Sequence, residues 1–128
     1  TICQETNIST AQIHFEVDED FLNALTVQPL PVIRAKVKEE VSTFKERYRL
    51  VDAYCEAYGG MGKRLNLEWF EDIECSNIIL AGGLNPENLS ELKSYGFYGV
   101  DVSSGVESSK GKKDPQKVKQ FIENAKSL

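Results

Sequence analysis

The stretch ILAGGLNPEN, residues 79–88, decides the fold because it joins an apolar strand to a helix start through two adjacent glycines. Residues 77–80 are rich in isoleucine and typical of a strand, and Asn85 followed by Pro86 is typical of a helix N-cap. Gly82 and Gly83 stand between them, where positive φ and absent Cβ atoms let backbone N–H groups approach a ligand closely. The stretch predicts a strand-to-helix connection with room for an anion.

The same alternation of strand and helix patterns runs along the whole chain. The predicted strands are residues 11–15, 31–37, 48–54, 77–80 and 98–102, and the predicted helices are residues 16–25, 39–46 and 65–73 and two more that open at Asn85 and at Asp114-Pro115. This order, with continuous apolar strands, indicates an α/β protein whose parallel sheet is either doubly wound or closed into a barrel. Both folds place their chemistry at the carboxyl ends of the strands.

Composition limits the classes of function. The chain has 128 residues, 41% of them hydrophobic and 27% charged, with a mean hydropathy of -0.36, as expected for one soluble globular domain. A net charge of -5 argues against general binding of nucleic acid or anionic membranes. No apolar run approaches the length of a spanning helix, so a cytoplasmic location is expected. Cys3, Cys55 and Cys75 are widely spaced and are interpreted as reduced thiols.

Two consecutive loops have the composition of a phosphate site. Gly82-Gly83 follow one predicted strand, and Ser103-Ser104-Gly105 follow the next one. Such a pair of loops matches the phosphate-binding place between the last two strands of a (β/α)8 barrel. The alternative is that both are tight turns without a ligand. The chain contains no GxGxxG motif, and the Gly62-Lys63 pair lacks the other residues of a Walker A loop.

Five segments, taken in order and spacing, resemble the phosphoribosylanthranilate isomerase family of tryptophan biosynthesis. They are RLVDA (49–53), YGGMGK (58–63), ILAGGLNPEN (79–88), YGVDVSSGVE (98–107) and GKKDP (111–115). The resemblance implies a TIM barrel, of which residues 1–128 would be a single partial domain with strands four to eight and helices four to eight. Residues 11–15 resemble strand four of that family. Strands one to three would be absent.

The resemblance also implies a reaction. The family converts an aminoaldose to an aminoketose by an Amadori rearrangement, with a cysteine on strand one as general base and an aspartate on strand six as general acid. Asp52 occupies the acid position. Cys3 sits in TICQET, which only superficially resembles the strand-one motif, and is expected on a helix before strand four as a buried or half-buried thiol. The base is thus expected outside this chain, which would be inactive alone.

The resemblance implies eight binding residues and neither a metal ion nor a cofactor. They are His14, Gly59, Gly60 and Asp101 for the substrate, and Gly82, Gly83, Ser104 and Gly105 for its phosphate. Each has a structural alternative: His14 as a core histidine, Asp101 as a carboxylate bonded to neighbouring backbone, and the glycines as turns. Asp52 could likewise pair with Lys36 or Lys63. Phe15 and Met61 depart from the family pattern.

Two hypotheses from different classes follow. The first is an enzyme acting on a small phosphorylated sugar-anthranilate substrate, with no nucleic acid or membrane partner. The second is a non-catalytic module that binds phosphate or assembles through its edges. An open parallel sheet leaves unpaired edge strands, so the partners expected are the missing N-terminal part of the barrel and, for the isolated chain, further copies of itself.

Overall fold

The structure is a computed structural model that describes residues 2–56 and 63–128, without the side chains of residues 3, 54–56 and 63–65. The α-helices are α1 (Ile2–Thr6), α2 (Glu19–Ala24) and α3 (Pro115–Lys126). Among the described residues, 3-10 segments cover Lys38–Ser42, Leu67–Phe70, Leu89–Leu92 and Ser104–Val106. The strands are β1 (Thr10–Ile13), β2 (Gln28–Arg34), β3 (Arg49–Asp52), β4 (Tyr54–Glu56), β5 (Lys63–Leu65), β6 (Ile78–Ala81), β7 (Gly99–Val100), β8 (Glu107–Ser109) and β9 (Lys112–Lys113).

The central feature is a parallel sheet of five strands in the order β1-β2-β3-β6-β7. The predicted α/β class with a parallel sheet is confirmed. Spatial order follows chain order without reversal, whereas a doubly wound sheet reverses direction at a switch point. The sheet therefore winds in the manner of a barrel.

The two faces of the sheet differ in burial. The outer face buries Ile33, Val51 and Leu80 under the connecting segments, which contribute Val41, Phe70, Leu89, Leu92 and Phe121 to one apolar core. The opposite face, which we call the inner face, carries Leu30, Val32, Leu50, Asp52, Ile79 and Ala81. On it, Leu30, Val32 and Ile79 are only half-buried. Within the described residues the core thus lies on one side of the sheet.

The predicted parallel strands all exist, but their bounds differ. The strand predicted at 31–37 is β2, which begins at Gln28 and includes Pro29 and Pro31. Those prolines concealed its start, because proline usually marks a strand end. The strand predicted at 48–54 is β3, which stops at Asp52. The chain then turns into an antiparallel hairpin of β4 with β5, and β8 pairs with β9 in a second hairpin; neither hairpin was predicted.

Three predicted α-helices are wrong in type. The segments expected at 39–46, at 65–73 and after Asn85 are short 3-10 turns, at Lys38–Ser42, Leu67–Phe70 and Leu89–Leu92. Asn85 does form a side-chain cap, since its Oδ1 accepts from the N–H of Glu87 at 3.0 Å and from the N–H of Asn88 at 2.9 Å. That cap closes a turn instead of opening an α-helix, because Asn88 bonds back to the loop before it.

The last helix, α3, is confirmed with the start predicted for it. Asp114 is its N-cap and accepts from the N–H of Gln116 at 2.9 Å, and Pro115 occupies the first helical position. Phe121 is buried against the core, whereas the neighbouring Ile122 is 49% exposed. The exposed side of this helix therefore carries apolar surface.

Arg49 is a buried cation that we expect to contribute strongly to stability. It is 1% exposed, and its guanidinium donates to the carbonyl of Val41 at 2.9 Å and to Oδ1 of Asn77 at 3.0 Å. Burial lowers the pKa of this guanidinium from its usual value. Arg49→Met would leave the carbonyl of Val41 unsatisfied, so we expect a loss of about 3 kcal/mol in the free energy of unfolding.

Urea unfolding of the unsubstituted chain and of the Arg49→Met chain measures this loss. The matched control is Arg47→Met, which removes a partly exposed guanidinium paired with Glu19 at 2.8 Å. Such pairs contribute about 0–1 kcal/mol. Equal losses in the two variants would contradict the role given to Arg49.

Candidate active site at the carboxyl edge of the sheet

Two of the polar residues predicted for the site, Asp52 and Asp101, lie on the inner face. Asp52 ends β3 and is half-buried, with Arg34 of β2 and Ala81 of β6 as its register partners. Asp101 follows β7 directly, is exposed, and donates its N–H to the carbonyl of Leu80 at 2.9 Å. Continuing the register puts Asp101 beside Ala81, two strands from Asp52, or about 10 Å. Both carboxylates thus lie at the carboxyl edge of one face.

His14 lies at the same edge but outside the strand. The strand predicted at 11–15 ends at Ile13, so His14 is the next residue and is exposed. It lines an open cleft of about 720 Å³ together with Phe15, Arg34 and Glu40. The alternative of a core histidine is wrong, because the side chain is not buried.

Phe15, the departure from the family pattern, packs on the helix that follows it. Its ring meets the ring of Phe21 edge-on, with 5.7 Å between centroids. Its side chain is 61% exposed. The substitution therefore accompanies an early end to β1 and a local aromatic contact with α2.

The loop of Gly82 and Gly83 needs glycine at both positions. Their φ angles are +94° and +74°, in the left-handed region that other residues rarely adopt. Asn88 holds the loop from within: its Nδ2 donates to the carbonyl of Gly83 at 2.8 Å, and its Oδ1 accepts from the N–H of Asn85 at 2.9 Å. The glycines follow β6 at once, one register position from Asp52.

Gly105 joins the second loop to the first. A Cβ on Gly105 would lie 1.7 Å from the carbonyl oxygen of Leu84, which is an impossible contact. Only glycine lets the turn at Ser104–Val106 approach the backbone that follows Gly83. The two loops predicted to bind one phosphate are therefore in contact, which two unrelated turns would not require.

An exposed lysine takes part in this arrangement. Lys113 belongs to β9, and its side chain is 49% exposed. Its Nζ lies 2.8 Å from the carbonyl oxygen of Ser103 and 2.7 Å from Oε2 of Glu107. The contact with Lys113 lowers the pKa of the Glu107 carboxyl from its usual value. The sequence signal was Gly111, whose φ of +81° makes the hairpin turn.

Some predicted features cannot be placed. Gly59 and Gly60 lie outside the described residues, as does Met61. Cys3 belongs to α1, so its predicted helical position is confirmed, but its side chain is not described. Cys75 is a buried free thiol whose pKa is raised by burial.

The described ranges contain neither a metal-binding cluster nor a membrane-spanning helix. No group of three His, Cys, Asp or Glu residues among them is placed to hold a metal ion. No helix there is both long and apolar enough to cross a membrane. The chemistry that the described edge offers is that of half-buried and exposed carboxylates, an imidazole, and glycine-rich backbone beside Ser104.

Comparison with known proteins gives the same family at the level of sequence and fold. The family model described as N-(5'phosphoribosyl)anthranilate (PRA) isomerase matches residues 1–124. The N-(5'-phosphoribosyl)anthranilate isomerase of Sulfurovum sp. (strain NBC37-1) is 67% identical over 128 residues, which are 100% of this chain and 65% of that protein. The chain thus spans slightly less than two thirds of the length of this relative.

Solved structures agree with the fold. The crystal structure of phosphoribosyl anthranilate isomerase from Thermotoga maritima superposes with a TM-score of 0.77 at 30% identity, covering 99% of this chain and 66% of that one. A phosphoribosyl anthranilate isomerase in complex with reduced 1-(o-carboxyphenylamino)-1-deoxyribulose 5-phosphate superposes with a TM-score of 0.75 at 26% identity, covering 99% and 64%. The family model, the sequence identity and the fold together show that the chain belongs to the N-(5'-phosphoribosyl)anthranilate isomerase family.

Proposed function

We propose that this chain carries the general acid and the phosphate site of a phosphoribosylanthranilate isomerase. The reaction converts N-(5-phosphoribosyl)anthranilate to 1-(o-carboxyphenylamino)-1-deoxyribulose 5-phosphate in tryptophan biosynthesis. One observation carries the proposal: Asp52 is half-buried at the strand edge, in register with the residue that precedes Gly82 and Gly83. A carboxyl group thus adjoins a glycine loop with backbone suited to an anion.

Asp52 acts as the general acid in this proposal. It donates a proton to the furanose ring oxygen as the bond from that oxygen to C1′ breaks, and a base on the other side of the carbon skeleton removes the proton at C2′. The resulting enolamine becomes the aminoketose when its C2′ hydroxyl loses a proton and C1′ gains one. Neither step calls for a metal ion or a cofactor.

The substrate's phosphate binds between the two loops that meet at Gly105. Gly82, Gly83, Ser104 and Gly105 offer backbone N–H groups and a hydroxyl there, which suits a phosphate without a large basic surface. His14 and Asp101 contact the sugar and the amine from the inner face. Gly59 and Gly60 stay predicted substrate contacts in the loop after the acid.

The chain corresponds to strands four to eight of the barrel in this proposal. A complete (β/α)8 barrel has about 200 residues or more, and Leu30, Val32 and Ile79 of the inner face are only half-buried. The third of each relative that this chain does not match would supply strands one to three. Those strands would pair with β1 and β7 and cover the inner face. They would also bring the general base. In this proposal Cys3 is not that base, because it lies in helix α1 and the base is expected on strand one.

Two further expectations belong to the same proposal. The 128-residue chain alone is expected to be inactive and to associate with itself through its open edges. Its location is expected to be cytoplasmic.

Turnover by complementation tests the proposal. Loss of the substrate's fluorescence is followed with this chain alone, with the unmatched part of the Sulfurovum relative alone, and with the two mixed, while sedimentation shows whether they assemble. We expect activity in the mixture only. Activity of the chain alone would contradict the absence of the base. Phosphate binding without turnover in an assembled mixture would support the non-catalytic module instead.

A covalent fusion serves the remaining tests. We call the chain joined to the unmatched part of that relative the completed enzyme.

A further inference from the structure

We propose that Lys113 and Glu107 form a brace that orients the Ser103–Ser104 peptide for phosphate binding, a proposal that rests on the proposed function. The brace is defined by Lys113, Glu107 and the contacts of Lys113 with Ser103. Lys113 and Glu107 are therefore positioning residues. They raise the affinity of the site for phosphate without contacting the reacting atoms.

The ammonium group of Lys113 has two acceptors on Ser103 and one on Glu107, while its side chain is 49% exposed. Its Nζ lies 2.8 Å from the carbonyl oxygen of Ser103, 3.2 Å from Oγ of Ser103 and 2.7 Å from Oε2 of Glu107. A lysine ammonium has three donors, and three acceptors are in place. Lys113 therefore holds the loop, whereas a direct phosphate ligand would keep a donor for the anion.

Glu107 is itself fixed to the last helix. Its carboxylate is 15% exposed, and its backbone carbonyl accepts from Nζ of Lys117 at 3.0 Å. The carbonyl of Val106 accepts from the N–H of Asp114 at 2.8 Å, next to the start of α3. The brace thus connects the phosphate loop to a helix that packs on the core through Phe121.

The planarity of the peptide group transmits this restraint to the site. The carbonyl of Ser103 and the N–H of Ser104 belong to one peptide unit, in which they point in opposite directions. When the Ser103 carbonyl accepts from Lys113, the Ser104 N–H must therefore point away from the brace. Ser104 is one of the residues that we propose for the phosphate, so the brace pre-orients a donor before ligand arrives.

The test compares Lys113→Met with Lys112→Met in the completed enzyme. Lys112 is the neighbouring exposed residue of β9, so both variants remove one positive charge from the same hairpin. For Lys113→Met we expect the inhibition constant of inorganic phosphate and the KM to rise on the order of 10-fold, with kcat within about twofold, because one oriented donor is lost. For Lys112→Met we expect changes below about twofold.

Three results would overturn the proposal. Equal effects of both variants would assign the role to general positive potential. A lower melting temperature with unchanged phosphate affinity would make the brace purely structural. A fall in kcat with unchanged KM would place Lys113 in the chemistry.

A calorimetric titration with inorganic phosphate separates this proposal from the function itself. If the completed enzyme binds phosphate but does not turn over, the proposed function fails while the two lysine variants still test the brace. If the unsubstituted completed enzyme binds no phosphate, the brace proposal fails as well.

Discussion

Replacing Asp52 by asparagine is expected to lower kcat/KM of the completed enzyme about 10³-fold, because a positioned general acid contributes about 10²–10⁴-fold. Asparagine has nearly the same shape but no proton to give to the ring oxygen. The Gly82-Gly83 loop is held by hydrogen bonds of Asn88, so the affinity for inorganic phosphate is expected to stay within about twofold. Steady-state turnover and phosphate inhibition measure the two effects separately.

The matched control for this variant is Asp72→Asn. Asp72 is 83% exposed in its side chain and lies 3.7 Å from Nζ of Lys38. The same chemical change there should leave kcat/KM within about twofold, because an exposed pair of this kind contributes little. An Asp52→Asn enzyme with kcat/KM within about threefold of the unsubstituted one would exclude Asp52 as the acid.

Local features of the site could be predicted from the sequence because they depend on neighbouring residues only. Adjacent glycines after an apolar strand predicted positive φ, and Gly82 and Gly83 both have it. Asp114 before Pro115 predicted a cap and a helix start, and both are present. Alternation predicted the parallel sheet but left its strand order open, and the structure shows each strand next to its predecessor.

The features that were missed depend on contacts between distant segments or on competing side-chain bonds. Asn85 has the composition of a helix cap, but its reciprocal bonds with Asn88 favour a turn, which propensity does not reveal. The role of Lys113 depends on the β8–β9 register, in which Glu107 is the partner of Lys113. The contact of Gly105 with Leu84 depends on the packing of two consecutive βα units.

The inner face shows a further limit of sequence patterns. Val32 and Ile79 lie in segments predicted as continuous apolar strands, and in the described structure they are half-buried. A pattern of apolar residues reflects which side chains a segment buries in the complete fold. It does not show whether the partners that bury them belong to the same stretch of chain. The half-exposed face therefore supports the proposed need for further strands.

Gly105→Ala is expected to weaken phosphate binding strongly. The added Cβ would lie 1.7 Å from the carbonyl oxygen of Leu84 and 2.8 Å from its carbon. Both atoms belong to backbone, so the two loops must separate. We expect inorganic phosphate to bind at least about 100-fold more weakly, which is about 2.7 kcal/mol. Titration calorimetry of the completed enzyme measures the loss.

The control is Gly99→Ala, at the glycine that begins β7. A Cβ there would lie 3.8 Å from Cγ1 of Ile79, an ordinary van der Waals contact. We expect its phosphate affinity to stay within about threefold of the original, because the loops can keep their contact. Circular dichroism confirms that both variants fold. If folded Gly105→Ala bound phosphate as tightly as Gly99→Ala, the contact between the loops would not be what builds the site, and Gly82 and Gly83 alone would have to hold the anion.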